Sequence, residues 1–325
     1  ELQAAYQQFL LDLAEANTFL DEQQSTLGEE VAVSSVSDAK SQLKSIESLV
    51  SEVKLFTQNV DSLNKDSQVI IDGGHDETDS VKASVDEVNN KLKEIETSAG
   101  ERKVLLENEL LYEMFKLKAA VITKWIDSKQ EMLESDLAVD SVESAKSGIT
   151  QVSLFDSELN SKSKEIDVAC ALGADVVSGG HAKSDELQTT IDKFTAAKTS
   201  LSELASERKT KLANALLYEQ FVLKSATLSK WVEAKTEFLQ SDLNVDSVDS
   251  AAAGLTEVEQ FEIEFNTKKS DLDAACKLGN EVVEGKHPKS DEVTTAVDSF
   301  STASTSLSDL AATRKANLEF QAAYQ

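Results

Sequence analysis

A period of 106 residues runs through the chain without insertion or deletion, carried by Tyr6, Tyr112, Tyr218 and Tyr324. Three further ladders hold the same register: Phe9, Phe115 and Phe221; His75, His181 and His287; Arg102, Arg208 and Arg314. A fixed period of this length commits a polypeptide to copies of one supersecondary unit. The first copy departs most, with Phe19 where the others have Trp125 and Trp231, and Asn64 where they have Cys170 and Cys276. Residues 321–325 repeat residues 3–7 letter for letter, so the chain is expected to be a piece of a longer array. The expected units are 1–105, 106–211 and 212–317, with 318–325 opening a further one.

Within a unit the apolar residues step by three or four. Tyr112, Phe115, Ala119, Ile122, Ile126, Lys129 and Leu133 form a heptad stripe with Trp125 beside it, which is a first helix. Asp140 and Glu143 read as the N-cap and acid of a capping box that opens a second helix reaching Val177. Gly179-Gly180-His181 breaks it, and Ser184-Asp185-Glu186 reads as the cap of a third helix along Leu187, Ile191, Phe194, Leu201 and Leu204. Between Arg208 and Tyr218 stands no Gly, Pro or cap, so the third helix is expected to run straight into the first helix of the next unit. With 11 Gly and one Pro in 325 residues, there is little material for turns elsewhere. The expected fold is all-α, made of tandem three-helix left-handed coiled-coil bundles joined by continuous helical linkers.

Charge narrows the partners. The 59 acidic residues against 32 basic ones leave a net charge of −27, which repels a phosphate backbone or an anionic lipid surface. Nucleic acid and direct membrane insertion are therefore not expected, and no apolar run approaches the roughly 20 residues that cross a bilayer. Two cysteines in identical Ala-Cys-x-Leu-Gly settings are too few for a disulfide framework, and reduced thiols suit the cytosol.

Each candidate site has a plainer structural reading. His75, His181 and His287 sit one per loop, whereas a metal needs several converging ligands, so they read as turn residues. Cys170 and Cys276 read as small core residues. Trp125 and Trp231 read as core anchors together with Phe19, Phe115 and Phe221. Asp136 with Asp140, and Asp242 with Asp246, pair carboxylates without a base, nucleophile or phosphate loop, and an N-cap accounts for Asp140 and Asp246. No catalytic residue, cofactor or metal is expected. Gly100 aligns with Ser206 and Ala312, so only the first linker carries glycine, and it is the candidate hinge.

These motifs resemble spectrin repeats. The resemblance rests on the 106-residue period, Leu-Tyr-x-x-Phe at 111–115 and 217–221, Lys-Trp-(Ile/Val)-x-x-Lys at 124–129 and 230–235, Gly-x-His-x-x-Ser-Asp-Glu at 179–186 and 285–292, and Leu-Ala-x-x-Arg-Lys at 204–209 and 310–315. The third helix departs from the family pattern with Val88, Phe194 and Phe300 where a second Trp is usual. The resemblance implies a non-enzymatic structural spacer of an actin-associated cytoskeleton, cytoplasmic at the cell cortex. Actin would be bound through domains outside this segment, and the segment itself would be monomeric, with dimerisation open for the full-length protein. A protein-recruiting scaffold and a microbial surface repeat protein are the alternative readings.

Overall fold

The computed structural model describes residues 1–324. Among the described residues there are seven helices: α1 (Leu2–Leu27), α2 (Val36–Asp72), α3 (Thr78–Glu134), α4 (Val142–Ser178), α5 (Ser184–Gln240), α6 (Val248–Glu284) and α7 (Ser290–Tyr324). The 37-residue helices α2, α4 and α6 alternate with the 57-residue helices α3 and α5. At 1.5 Å per residue the longer ones extend about 85 Å, against about 55 Å for those that stay within one repeat. Each is the third helix of one unit and the first of the next. This is the all-α architecture of three-helix units on continuous helical linkers that the periodicity predicts.

The chain divides into two compact units, Glu1–Asp127 with Lys162–Lys198, and Ser128–Ser161 with the chain from Thr199 onward. In the former, a core runs the length of the first repeat: Phe9 and Leu20 from α1, Val53, Val60 and Ile70 from α2, and Val88, Ile95 and Leu106 from α3. In the latter, Phe221, Leu228, Leu272, Val282 and Phe300 form one cluster of the third repeat, and Leu239, Val258, Phe261, Leu307 and Leu318 form another. Trp231 packs against both. The narrow stripes are a direct consequence of heptad spacing, since a helix that buries two residues in seven has no thicker core to offer.

The helix starts differ from the sequence reading. Asp140 and Asp246 are not the N-caps; Ser141 and Ser247 are, one residue later. The N–H of Ser144 donates to Ser141 Oγ at 3.2 Å and the N–H of Ser141 donates to Ser144 Oγ at 3.1 Å, so serine does at N3 what glutamate was expected to do. Ser247 and Ser250 repeat the arrangement. Asp140 instead accepts from Ser141 Oγ, and hydrogen bonds from Ser144 and Ser141 hold its carboxyl below the usual range. Ser184 is likewise not a cap. It lies inside α5, and its hydroxyl donates to the His181 carbonyl at 2.6 Å.

Candidate functional site at the repeat junctions

A helix end leaves carbonyls without intrahelical donors, and a cation near that negative pole is favourable. The arginine ladder supplies it. Arg102 Nη1 donates to the carbonyls of Leu27 at 3.0 Å and Glu29 at 2.5 Å, closing the end of α1. Arg208 Nη1 donates to those of Leu133 at 2.9 Å and Ser135 at 2.6 Å, with Nη2 reaching Ser135 Oγ at 3.2 Å. Arg314 Nη1 donates to those of Leu239 at 3.4 Å and Ser241 at 2.7 Å. Arg102 and Arg208 thus tie the linker helices α3 and α5, and Arg314 ties α7, to the end of the first helix of the same repeat. Its period was visible in the sequence; its partners, being backbone, were not.

The loops of His181 and His287 contact the same long helices, α3 and α5, and the loop of His75 contacts α1. The rings of His75, His181 and His287 stack on Tyr6, Tyr112 and Tyr218 with centroids 4.3, 4.2 and 4.2 Å apart. Nδ1 accepts the backbone N–H of Glu77, Lys183 or Lys289, and so performs the capping expected of the serine. An accepting Nδ1 places the neutral ring's proton on Nε2. That atom meets a different group in each copy: Gln3 Oε1 at 3.1 Å beside His75, and Glu109 Oε1 at 3.1 Å beside His181. The His181 contact is close but not aligned as a hydrogen bond. Ala215 occupies the corresponding position near His287. Burial, with Lys289 acting in the same direction, holds the His287 imidazole below the ordinary histidine value.

Two glycine positions make this approach feasible. A Cβ at Gly73, Gly179 or Gly285 would stand 2.6, 2.7 or 2.5 Å from Leu2, Asn108 or Asn214 on the linker side. The next residue takes a left-handed conformation, Gly74 and Gly180 at φ 71° but Lys286 at φ 58°. The third loop therefore carries a side chain where the others have none, at a cost of about 1 kcal/mol.

The anchors expected from the sequence fall in two groups. Phe115 and Phe221 are buried, the first against Val176 and Leu187 and the second against Val282 and Val293. Trp125, Trp231 and Phe19 are half-buried. Trp231 lies beside Phe261 and Phe265, and its Nε1 donates at 2.6 Å to Glu264, which Lys235 holds at 2.7 Å. Lys235 and then Trp231 keep the Glu264 carboxyl below its usual range. Phe19 stacks on Phe56 at 4.1 Å, a partner the other repeats lack because they carry Lys162 and Lys268 there. Gly100 lies mid-helix in α3, and a Cβ there would meet nothing within 4 Å. Cys170 and Cys276 are free and half-buried, and burial pushes the Cys170 thiol up. Among the described residues no His, Cys, Asp and Glu side chains group as metal ligands, and no helix is long and apolar enough to cross a membrane.

Comparison with known proteins agrees with this geometry. The spectrin repeat family matches residues 4–108, 110–214 and 216–319, and the chain belongs to that family. It is similar to the spectrin alpha chain, erythrocytic 1, of Mus musculus, 22% identical over 322 residues that cover 97% of this chain and 13% of the relative. The spectrin beta chain of Drosophila melanogaster is 21% identical over 88% of this chain and 12% of its own length. The spectrin beta chain, non-erythrocytic 5, of Homo sapiens is 18% identical over 79% of this chain and 7% of its own. The chain thus spans about an eighth or less of the curated relatives it matches.

Proposed function

We propose that this segment is a spacer in the rod of an actin-associated cytoskeletal protein at the cytoplasmic cell cortex. It gives length and elastic compliance between binding ends that lie outside it, and its repeats are bounded at 1–105, 106–211 and 212–317. The observation that carries the reading is helical continuity: α3 and α5 each belong to two repeats, and an arginine and a histidine loop both make contacts with each of them. In such a chain, extension requires a whole repeat to give way, because neighbouring repeats share an element and a nearest-neighbour interface. Gly100 makes the first linker the more compliant. The residues at the junctions bind backbone and neighbouring rings, which is structural work and offers no reacting group.

Stretching the chain between two handles tests this. A repeat of this length released from a bundle adds about 300 Å of contour, and steps of one or two repeats that refold on relaxation are expected. A smooth extension without repeat-sized steps would contradict the reading. Co-sedimentation with filamentous actin should leave the segment in the supernatant, and stoichiometric pelleting would show that the actin contact lies within it.

A further inference from the structure

We infer that one face of the second repeat, between α3 and α4, is a docking surface for an acidic amphipathic helix of a partner protein. Leu117 and Val121 stand one turn apart on α3 and are each 61% exposed, and Val168 of α4 beside them is 58% exposed. With the buried Ile122 as floor they line a groove of about 550 Å³. Such residues are ordinary when scattered, but three converging on a groove form a patch that association would cover.

The period supplies an internal control. At the positions of Leu117, Val121 and Val168 the first repeat has Leu11, Glu15 and Ser62, and the third has Leu223, Thr227 and Ala274. A face required only by the bundle would be apolar in all three copies. Only the second repeat keeps three large apolar side chains there, so the patch is not a by-product of the fold.

Charge selects the occupant. Glu165 on the rim is held by Lys162 at 2.5 Å, which leaves Lys118 and Lys164 as the uncompensated groups of the groove. Among the described residues neither has a carboxylate within ion-pair distance, in a chain whose acids exceed its bases by 27. The first repeat has Asp12 and Gln58 at those positions. An amphipathic helix with apolar anchors at i, i+3 or i+4 and i+7 fits a groove between two helices, and Asp or Glu on its flanks would meet the two lysines. A second copy of this chain would bring its own charge of −27 against the first, so the occupant is a different protein.

A displayed library of amphipathic peptides, with a fixed Leu ridge and flanks randomised among Glu, Lys and Ser, is selected on the full chain. Enrichment of Glu-flanked helices is expected. Their binding should fall at least about tenfold on the V121E/V168S chain and severalfold on K118D/K164Q. These variants carry residues that the first repeat already folds with, and unchanged helical content and melting would confirm that the loss is at the surface. Enrichment of Lys-flanked or uncharged helices, or binding unaffected by V121E/V168S, overturns the inference. So does binding of phosphatidylserine vesicles that the same variants abolish, which would assign the face to lipid.

Discussion

The linker that leaves the first repeat and the linker that leaves the second are parts of helices of equal length, clamped by arginines at the same register, yet their surroundings differ. In the second, Leu212 nests on Gly148 with no room for a Cβ, and Asn214 Nδ2 donates to the Gly285 carbonyl at 2.8 Å. Arg208 reaches a third oxygen, Ser135 Oγ. In the first, Gly100 faces open space, and a groove of about 700 Å³ runs from Glu96 past Gly100 to the His181 loop. Identical backbone continuity is therefore compatible with unequal side-chain support. Local opening of a continuous helix depends on the contacts its side chains make.

The aromatic anchors on either side of these linkers give the largest effects. Trp231→Ala removes a ring shared by two clusters and the indole donor to Glu264, which Lys235 still holds, and should cost about 4 kcal/mol in denaturant unfolding of the third repeat. Phe19→Ala, losing the stack on Phe56, should cost about 3 kcal/mol in the first. The Phe19–Phe56 stack stands where the other repeats have a tryptophan beside a lysine. A negligible loss in either variant would remove that ring from the set of anchors.

Next come the clamps. Arg208→Ala gives up donors to three oxygens at a helix end and should cost about 2 kcal/mol, with Arg102→Ala costing less. Equal losses, measured by thermal melting of each repeat, would show that the Ser135 contact contributes nothing. Smaller still, Lys286→Gly should raise the stability of the third repeat by about 1 kcal/mol by relieving the left-handed backbone, and Gly180→Lys should lower that of the second by a similar amount. A destabilised Lys286→Gly would mean that the lysine side chain outweighs its backbone cost.

The pH response of the third loop is the mildest contrast. Because burial lowers the folded pKa of His287, the unfolded chain takes up its proton first as pH falls. The neutral ring's contribution is full above the ordinary histidine value of about 6.5 and is lost as pH drops through the lowered folded value. The stability difference between the unmodified chain and His287→Gln should shrink across that window. A difference independent of pH would place the ring's contribution in its shape alone.

Helix continuity was legible in the sequence because it depends on what is missing: Gly, Pro and caps between Arg208 and Tyr218. The caps of α4 and α6 were read one residue early, since aspartate and serine both serve as N-caps and only the backbone turn decides between Asp140 and Ser141. The arginine clamp and the Tyr–His stacks were visible only as ladders. Their partners are a carbonyl or a ring tens of residues away, and a repeat aligns equivalent positions without saying which ones touch. The exposure of Leu117, Val121 and Val168 was hidden for a related reason, because residues flanking a heptad stripe turn inward or outward according to how the helices pack.

Amide exchange across residues 95–110 and across the corresponding 201–216 of the unmutated chain tests the inequality of the linkers most directly. Faster exchange is expected in the first stretch, with near-equal rates once Gly100 is replaced by alanine, which is worth about 1 kcal/mol to a helix interior. Equal protection of both linkers before any substitution would contradict that inequality.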